Sequence, residues 1–123
     1  MFSHITVGTN DMDAARRFYD ALFAAMAARA GVFDEKGRLL YFKDGRMFGV
    51  TAPIDGQPAC HANGGTIGFS LGSAEAVRAW QEAGVAHGGT AIEDPPGVRN
   101  MSGRQVFLAY LRDPDGNKLC AVH

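Results

Sequence analysis

The sequence repeats itself, weakly but in order, when it is shifted by 62 residues. The shift pairs Asp11 with Ser73, two residues of the kind that commonly cap the N-terminus of a helix. It also aligns the apolar stripes of two predicted helices, with Phe18 opposite Trp80. The identical pairs under the shift include Ile5 and Ile67, Ala14 and Ala76, Arg16 and Arg78, and Ala21 and Ala83. In a chain of 123 residues this predicts two copies of one small unit.

The first copy, residues 1–52, is predicted to contain a strand, a helix and three further strands. The helix begins at its Asp11 cap, and its apolar residues recur at three- and four-residue spacing as far as Met26. Gly31 is predicted to end this helix. Three short apolar runs follow, and the Asp44-Gly45 pair between the last two is typical of a tight hairpin turn.

The second copy, residues 66–123, repeats this order after a linker. Residues 53–65 are predicted to be that linker, because they are rich in Pro, Gly and polar residues and show no periodicity. A helix capped by Ser73 is predicted to end at Gly84 and to be followed by three strands. The stretch Glu93–Gly103 is predicted to be a long irregular loop and a candidate lid.

Neither copy is expected to be stable alone. A curved four-stranded sheet with one helix leaves its other face exposed, so the two copies must pair. The length of the chain fits a single domain. We therefore predict one α+β domain spanning residues 1–123, built from two paired βαβββ modules with curved mixed sheets.

The charge pattern excludes some functions. The chain carries 12 basic and 13 acidic residues, and neither half has an excess of more than one charge. Without a basic stripe to neutralise phosphates, nucleic-acid binding is not expected. No run approaches the roughly 20 apolar residues of a membrane span, and the first residues do not resemble a signal peptide. The sequence predicts a soluble cytoplasmic protein with no membrane partner.

Three segments together carry a resemblance to a known family. They are His4–Asp11 (HITVGTND), Thr66–Ser70 (TIGFS) and Asp113–Leu119 (DPDGNKL), in this order within the two modules. With them the chain resembles the vicinal oxygen chelate superfamily, which holds glyoxalase I, bleomycin-resistance proteins and extradiol dioxygenases. The resemblance implies curved sheets that enclose a cleft for a small-molecule ligand, usually in a homodimer.

Metal-using members of this superfamily place their ligands at four equivalent strand positions, two in each module. The resemblance maps these positions here onto His4, Gly49, Thr66 and Cys120. Relatives commonly have histidine at the first and third positions, a carboxylate or histidine at the second, and glutamate at the fourth. Among the four residues of this chain, only His4 is of the expected type.

The mapped residues are too few for an ordinary catalytic metal site, which uses about three protein ligands and keeps one position open. Gly49 has no side-chain donor, and the hydroxyl of Thr66 is a weak ligand for a divalent metal. We therefore expect no cofactor. If a divalent metal (Zn, Ni, Fe or Mn) does bind, His4 is its expected ligand, and the site is incomplete.

His4 and Cys120 are the candidate catalytic residues. If both face the cleft, a thiolate and an imidazolium could act together as nucleophile or base. The alternative is that His4 is a hydrogen-bonded strand histidine and that Cys120 packs as a small apolar residue.

Further residues are predicted to line the cleft and bind substrate. Phe48 and Tyr110 are strand aromatics, which either belong to the core or line a pocket, since ligand pockets are mainly apolar and aromatic. Arg99 and Arg104 lie in or beside the candidate lid, where a guanidinium could pair with a carboxylate or phosphate of a ligand. The alternative for both is an ordinary surface charge. Two of the mapped positions complete this set: Gly49 and Thr66.

Three functions are open at this point. The favoured hypothesis is a small-molecule-binding protein of this superfamily that lacks the complete metal site. The alternative is a metal-dependent lyase or isomerase of the glyoxalase (lactoylglutathione lyase) type. A ring-cleaving dioxygenase fits less well, because its iron needs two histidines and a carboxylate. The third hypothesis is a module that binds a protein partner or has a structural role.

Overall fold

Each half of the chain folds into one mixed four-stranded sheet with one helix. The computed structural model describes all residues from 1 to 123. The first half contains β1 (His4–Gly8), α1 (Met12–Ala25), β2 (Val32–Phe33), β3 (Leu39–Lys43) and β4 (Arg46–Thr51). The second half contains β5 (Ile67–Ser70), α2 (Ala74–Ala86), β6 (Thr90–Met101), β7 (Arg104–Arg112) and β8 (Lys118–Val122). Neither helix has the length and apolar character needed to cross a membrane.

The two sheets, which we call sheet 1 and sheet 2, have the same topology. The strand order is β1-β4-β3-β2 in sheet 1 and β5-β8-β7-β6 in sheet 2. In each sheet the first strand lies at the edge and runs parallel to its neighbour, while the other pairs are antiparallel. The predicted α+β fold of two βαβββ modules is confirmed. Residues 52–66 between the modules contain no helix or strand.

Both helices begin where the sequence predicts. The side chain of Asp11 accepts a hydrogen bond from the Ala14 amide at 2.9 Å, and Ser73 accepts one from the Ala76 amide at 3.1 Å. Each bond satisfies one of the amide donors that the first turn of a helix leaves unpaired. The 62-residue repeat is therefore also a repeat of structure at the start of both helices.

The predicted end of α1 at Gly31 is wrong. The helix ends at Ala25, and Ala27 adopts a left-handed conformation with φ of 57°. The amide of Ala28 then bonds to the carbonyl of Phe23 at 2.9 Å, which closes the helix without a glycine. Gly31 is needed for space instead, because a Cβ there would clash with side chains of β3.

The predicted end of α2 at Gly84 is also wrong. The helix runs to Ala86, and Gly88 adopts the left-handed conformation that follows its end, with φ of 103°. Gly84 lies inside the helix, where a Cβ would come within 2.5 Å of Leu111 Cδ2. This glycine allows α2 to approach β7 closely.

Residues 93–103 form part of a β-hairpin, and the predicted irregular loop is wrong. β6 extends to Met101 and turns into β7 through Ser102 and Gly103, whose φ values are 50° and 80°. Two successive residues with positive φ are typical of a tight hairpin turn. The strand pairing is interrupted between Ile92 and Gly97 by a bulge that contains two prolines. Because proline has no amide donor, this segment looks like a loop in the sequence.

The helices cover one face of each sheet, which we call the helix-covered face, and leave the opposite, open face free. α1 also packs against α2, so that 17 buried residues form one core shared by both modules. Trp80 of α2 is the largest fully buried side chain of this core. Its indole Nε1 has no hydrogen-bond partner. The modules therefore pair through their helices, as neither could close a core alone.

Residues from two of the three family-like segments form a polar junction between the modules. Asp113, which is 4% exposed, accepts hydrogen bonds from the Tyr19 hydroxyl at 2.6 Å and from the amide and side chain of Asn117 at 2.8 Å each. Asp115 accepts a hydrogen bond from the Asn10 amide at 2.8 Å. We call these five residues the polar junction. They fasten the last turn of the chain to the first module.

Candidate functional site

The mapped positions of sheet 1 point to its open face. In β1, Val7 belongs to the core, so strand alternation directs His4 and Thr6 away from α1. In β4, Phe48 belongs to the core and Gly49 therefore faces the open side. A Cβ built on Gly49 would lie 3.2 Å from Thr6 Oγ1, which confirms that the two residues share a face.

The strand registers show that Gly49 and Cys120 occupy equivalent positions. Gly49 pairs with Thr6 across β4 and β1, and Cys120 pairs with Gly68 across β8 and β5. Thr6 and Gly68 are themselves related by the 62-residue repeat. The open face of sheet 2 therefore presents Cys120 where sheet 1 has no side chain.

The side chains at these positions do not fit a catalytic metal. His4 is exposed, with its Nδ1 2.9 Å from the Ser3 hydroxyl, and its counterpart Thr66 is exposed just before β5. No group of three or more His, Cys, Asp or Glu side chains in the chain is placed to hold a metal ion. A catalytic metal needs about three such ligands.

Cys120 is buried on the open face of sheet 2 beside Tyr110, its register partner on β7. Burial raises the pKa of the Cys120 thiol above its ordinary value; the neighbouring Tyr110 hydroxyl offsets part of this rise, and the Glu93 carboxylate adds to it. The thiol is therefore protonated at neutral pH. The charges that act on it come from Glu93 and Lys118, and His4 is not among them.

Glu93 and Lys118 are functional candidates that the sequence did not single out. The Lys118 ammonium pairs with the Glu93 carboxylate and lies 4.6 Å from the centre of the Tyr110 ring. Glu93 has φ of 61°, a left-handed conformation that is strained for any residue other than glycine and is often found at functional sites. We call Glu93, Tyr110, Lys118 and Cys120 the open-face cluster.

Of these two residues, only Lys118 could have been found from the sequence pattern. Lys118 and Cys120 are two apart on a predicted strand, and alternation places them on the same face. No sequence pattern singles out Glu93, because the bulge between Ile92 and Gly97 determines the direction of its side chain.

The two predicted arginines lie on the hairpin and not on a lid loop. Arg99 is on β6 and donates a hydrogen bond to the Pro95 carbonyl at 2.8 Å. It lies near the open-face cluster: partial burial and Cys120 raise the pKa of Tyr110, and the Arg99 charge opposes that rise. Arg104 begins β7 beside the turn and is exposed.

The main cavity, of about 330 Å³, lies apart from the open-face cluster. It is located beyond the end of α1, between β1, the β3–β4 hairpin and β5. Two predicted site residues line it, His4 and Phe48, and Phe48 is at the same time a core residue that is 5% exposed. The other predicted site residues do not line it: Gly49, Thr66, Arg99, Arg104, Tyr110 and Cys120. The structure thus divides the predicted site residues between different places.

Comparisons with known proteins agree with this fold. The family model described as Glyoxalase/Bleomycin resistance protein/Dioxygenase superfamily matches residues 1–121. The structure is similar to a glyoxalase/bleomycin resistance protein from Albidiferax ferrireducens T118, with 49% identity, a TM-score of 0.96, and coverage of 100% of this chain and 98% of that chain. None of the curated proteins compared with the chain matches it significantly.

Two more distant structures share the fold. A glyoxalase-related enzyme from Fulvimarina pelagi is 21% identical, with a TM-score of 0.75 and coverage of 99% of this chain and 86% of that chain. A lactoylglutathione lyase from Agrobacterium tumefaciens is 18% identical, with a TM-score of 0.68 and coverage of 99% of this chain and 92% of that chain.

Proposed function

The chain belongs to the glyoxalase/bleomycin resistance protein/dioxygenase superfamily, and from this we propose that it binds a small organic molecule without the complete metal site of its metal-using relatives. One observation carries the proposal. Of the four mapped strand positions, Gly49 has no side chain and Thr66 has only a hydroxyl. The remaining two, His4 and Cys120, fall short of the three ligands that a catalytic metal needs.

The open-face cluster is where we propose that the ligand binds. It combines the ring of Tyr110 with the charges of Lys118 and Glu93, and the Arg99 guanidinium lies nearby. Ligand pockets typically join a few such polar groups to apolar surface. An anionic group of the ligand would compete with Glu93 for the Lys118 ammonium.

A homodimer is part of this proposal. Three large apolar residues on the open faces are strongly exposed: Val32 (55%), Phe42 (58%) and Met101 (44%). Large exposed apolar residues on neighbouring strands, such as Val32 and Phe42, can form the contiguous patch that commonly marks an interaction surface. A second copy placed over the open faces would cover them and enclose the ligand.

A metal-dependent lyase or isomerase of the glyoxalase type is the second candidate, and Glu93 is the observation that favours it. Such a reaction needs a base to move a proton, and the mapped positions contain no carboxylate. Glu93 brings a carboxylate to Cys120 on the open face. Its pairing with Lys118 disfavours this role, because the ammonium holds the carboxylate.

Metal content separates the two candidates. We expect protein purified without a metal-affinity column to contain far less than one metal per chain, also after dialysis against Zn, Ni, Fe or Mn. Elemental analysis measures this, and His87→Ala, which changes an exposed histidine outside the site, serves as the control for His4→Ala. About one metal per chain that His4→Ala removes and His87→Ala retains would contradict the proposal, as would chelator-sensitive isomerisation of a hemithioacetal.

Ligand binding tests the other half of the proposal. In ligand-observed NMR with a library of small carboxylates, we expect binders whose affinity falls about tenfold in Lys118→Gln, because a charge-assisted contact is lost. Lys36→Gln makes the same change in an exposed turn and should have no effect. Equal affinity in both variants, or no binder in the library, would count against the open-face cluster.

A further inference from the structure

The main cavity exists because α1 is too short to cover sheet 1. The helix closes after Ala25, whereas the β3–β4 hairpin continues beyond it as far as Lys43 and Arg46. β1 and β5 are the edge strands of their sheets, and no backbone hydrogen bond joins one to the other. A space of about 330 Å³ remains between these elements.

The walls of this cavity are aromatic. Phe23 and Tyr41 are stacked, with ring centroids 4.4 Å apart and planes at 12°, and Phe48 and Phe69 lie beside them with centroids 5.7 Å apart. The Tyr41 hydroxyl donates to Asp20 and therefore does not turn into the cavity as a free polar group. A cavity of this size lies at the lower end of the range for ligand pockets, about 300 to 1,000 Å³. It suits one ring or a short acyl chain.

The rim of the cavity is positively charged. Lys43, Asp44 and Arg46 all line it, and Lys43 lies 3.5 Å from the Asp44 carboxylate. Arg46 has no carboxylate within 4.0 Å, and its hydrogen bond is a long one, 3.4 Å, to the carbonyl of Gly45. One guanidinium at the rim is therefore left without a counter-ion from the chain.

Polar groups of β5 complete the cavity on the other side. Ile67–Ser70 line it along the edge of β5 that does not pair with β8. The side chain of Ser70 makes no hydrogen bond within the chain. An edge strand carries unpaired amide and carbonyl groups, so a polar ligand atom would find partners there.

We propose that this cavity is a second binding site, for a small monoanion whose carboxylate pairs with Arg46 and whose ring or short acyl chain lies against Phe23, Tyr41 and Phe48. The site is distinct from the open-face cluster. Tyr41, Arg46 and Phe48 belong to the helix-covered face of sheet 1, and the open-face cluster belongs to sheet 2. A guanidinium recognises a carboxylate in a bidentate manner, and the aromatic walls accept an apolar body.

Phenylacetate and its neutral amide, phenylacetamide, test the proposal in a two-by-two design. Titrations of the wild-type protein followed by amide NMR should give saturable shifts at Ile67–Ser70 and Arg46, and phenylacetate should bind about tenfold more tightly than phenylacetamide. In Arg46→Gln this difference should disappear, while phenylacetamide keeps its affinity. Arg17→Gln removes an exposed arginine of α1 outside the cavity and should leave both affinities unchanged.

Three results would overturn the proposal. The first is the absence of saturable shifts up to about 10 mM phenylacetate, a concentration that saturates even a millimolar site. The second is equal loss of phenylacetate binding in Arg46→Gln and Arg17→Gln. The third is a set of shifts confined to Tyr110, Lys118 and Cys120, which would assign the anion to the open-face cluster instead.

Discussion

Replacing Trp80 by alanine is expected to lower the free energy of unfolding by about 4 kcal/mol, because it truncates the largest side chain of the core. Trp80 is fully buried where α2 meets the core shared by both modules, and its ring centroid lies 6.1 Å from that of Phe69. Alanine would remove most of this contact area and leave a cavity that the neighbouring aromatic rings cannot fill. Urea unfolding measures the change. It must be followed by circular dichroism, because Trp80 is the single tryptophan of the chain.

Trp80→Phe is the matched variant. It separates the effect of lost side-chain volume on the free energy of unfolding from the effect of the buried polar group. Phenylalanine loses part of the indole volume but also removes the buried Nε1 donor that has no partner. A buried donor without a partner costs about 1 to 3 kcal/mol, so the two effects largely cancel. We expect Trp80→Phe to cost less than half as much as Trp80→Ala. A loss as large as that of alanine would contradict this expectation.

Asp113→Ala is expected to lower the free energy of unfolding by about 3 kcal/mol. Its carboxylate accepts four hydrogen bonds at 3.0 Å or less, from the Tyr19 hydroxyl, the amides of Asp115 and Asn117, and the Asn117 side chain. Alanine would leave the Tyr19 hydroxyl and the two amides without a protein partner, next to a side chain position that is almost fully buried, and the Asn117 side chain would keep only its long hydrogen bond of 3.4 Å to the Gly8 carbonyl. Burial and the Asp113 charge also raise the pKa of Tyr19 well above its ordinary value, so the hydroxyl remains a donor near neutral pH.

Two further variants make the Asp113 experiment decisive. Tyr19→Phe removes one of the four donors and should cost about 1 kcal/mol, since the other three remain. Asp94→Ala changes an exposed aspartate on β6 that makes no ion pair and should cost less than about 0.5 kcal/mol. Chemical denaturation of the three variants measures their free energies of unfolding and so gives the order of the losses. If Asp113→Ala costs no more than Asp94→Ala, the polar junction does not hold the modules together.

The elements that the sequence predicts well are those decided by local chemistry. Asp11 and Ser73 cap helices because their side chains reach an amide three residues later in the same turn. The hairpin at Asp44-Gly45 follows from a dipeptide that adopts positive φ at both residues, 49° and 71° in this chain. Such features need no knowledge of the rest of the chain.

The errors concern residues whose surroundings come from distant parts of the chain. Gly84 looks like a helix end in the sequence, but Leu111 of β7 is the reason for a glycine there. Ala27 ends α1 in a conformation that no local pattern signals, since alanine ordinarily avoids positive φ. The two prolines in the stretch 93–103 make it look like a loop in the sequence. They lie in a bulge, and the pairing of β6 with β7 resumes after it at Gly97.

The residues of the candidate site also divide into those that local patterns place and those that depend on distant parts of the chain. The family resemblance, and no pattern within the chain, singles out His4, Gly49 and Cys120; strand alternation then directs these residues to the open faces. The ion pair of Glu93 with Lys118 joins residues 25 apart across a bulge, and no local pattern announces it. The main cavity depends on how far α1 reaches over sheet 1, so it could not be predicted while the end of that helix was misplaced.

The polar junction also fixes when the protein can finish folding during its synthesis. Tyr19 leaves the ribosome 94 residues before Asp113, the residue that receives its hydrogen bond. At about 5 to 20 residues per second, the first helix waits roughly 5 to 20 seconds for that partner. Phe18 and Leu22, which are fully buried in the finished core, have no contact with the second module until α2 and its Gly84 emerge. The nascent chain therefore carries an uncovered apolar helix until the second module emerges, and that interval is when a chaperone would have most to bind.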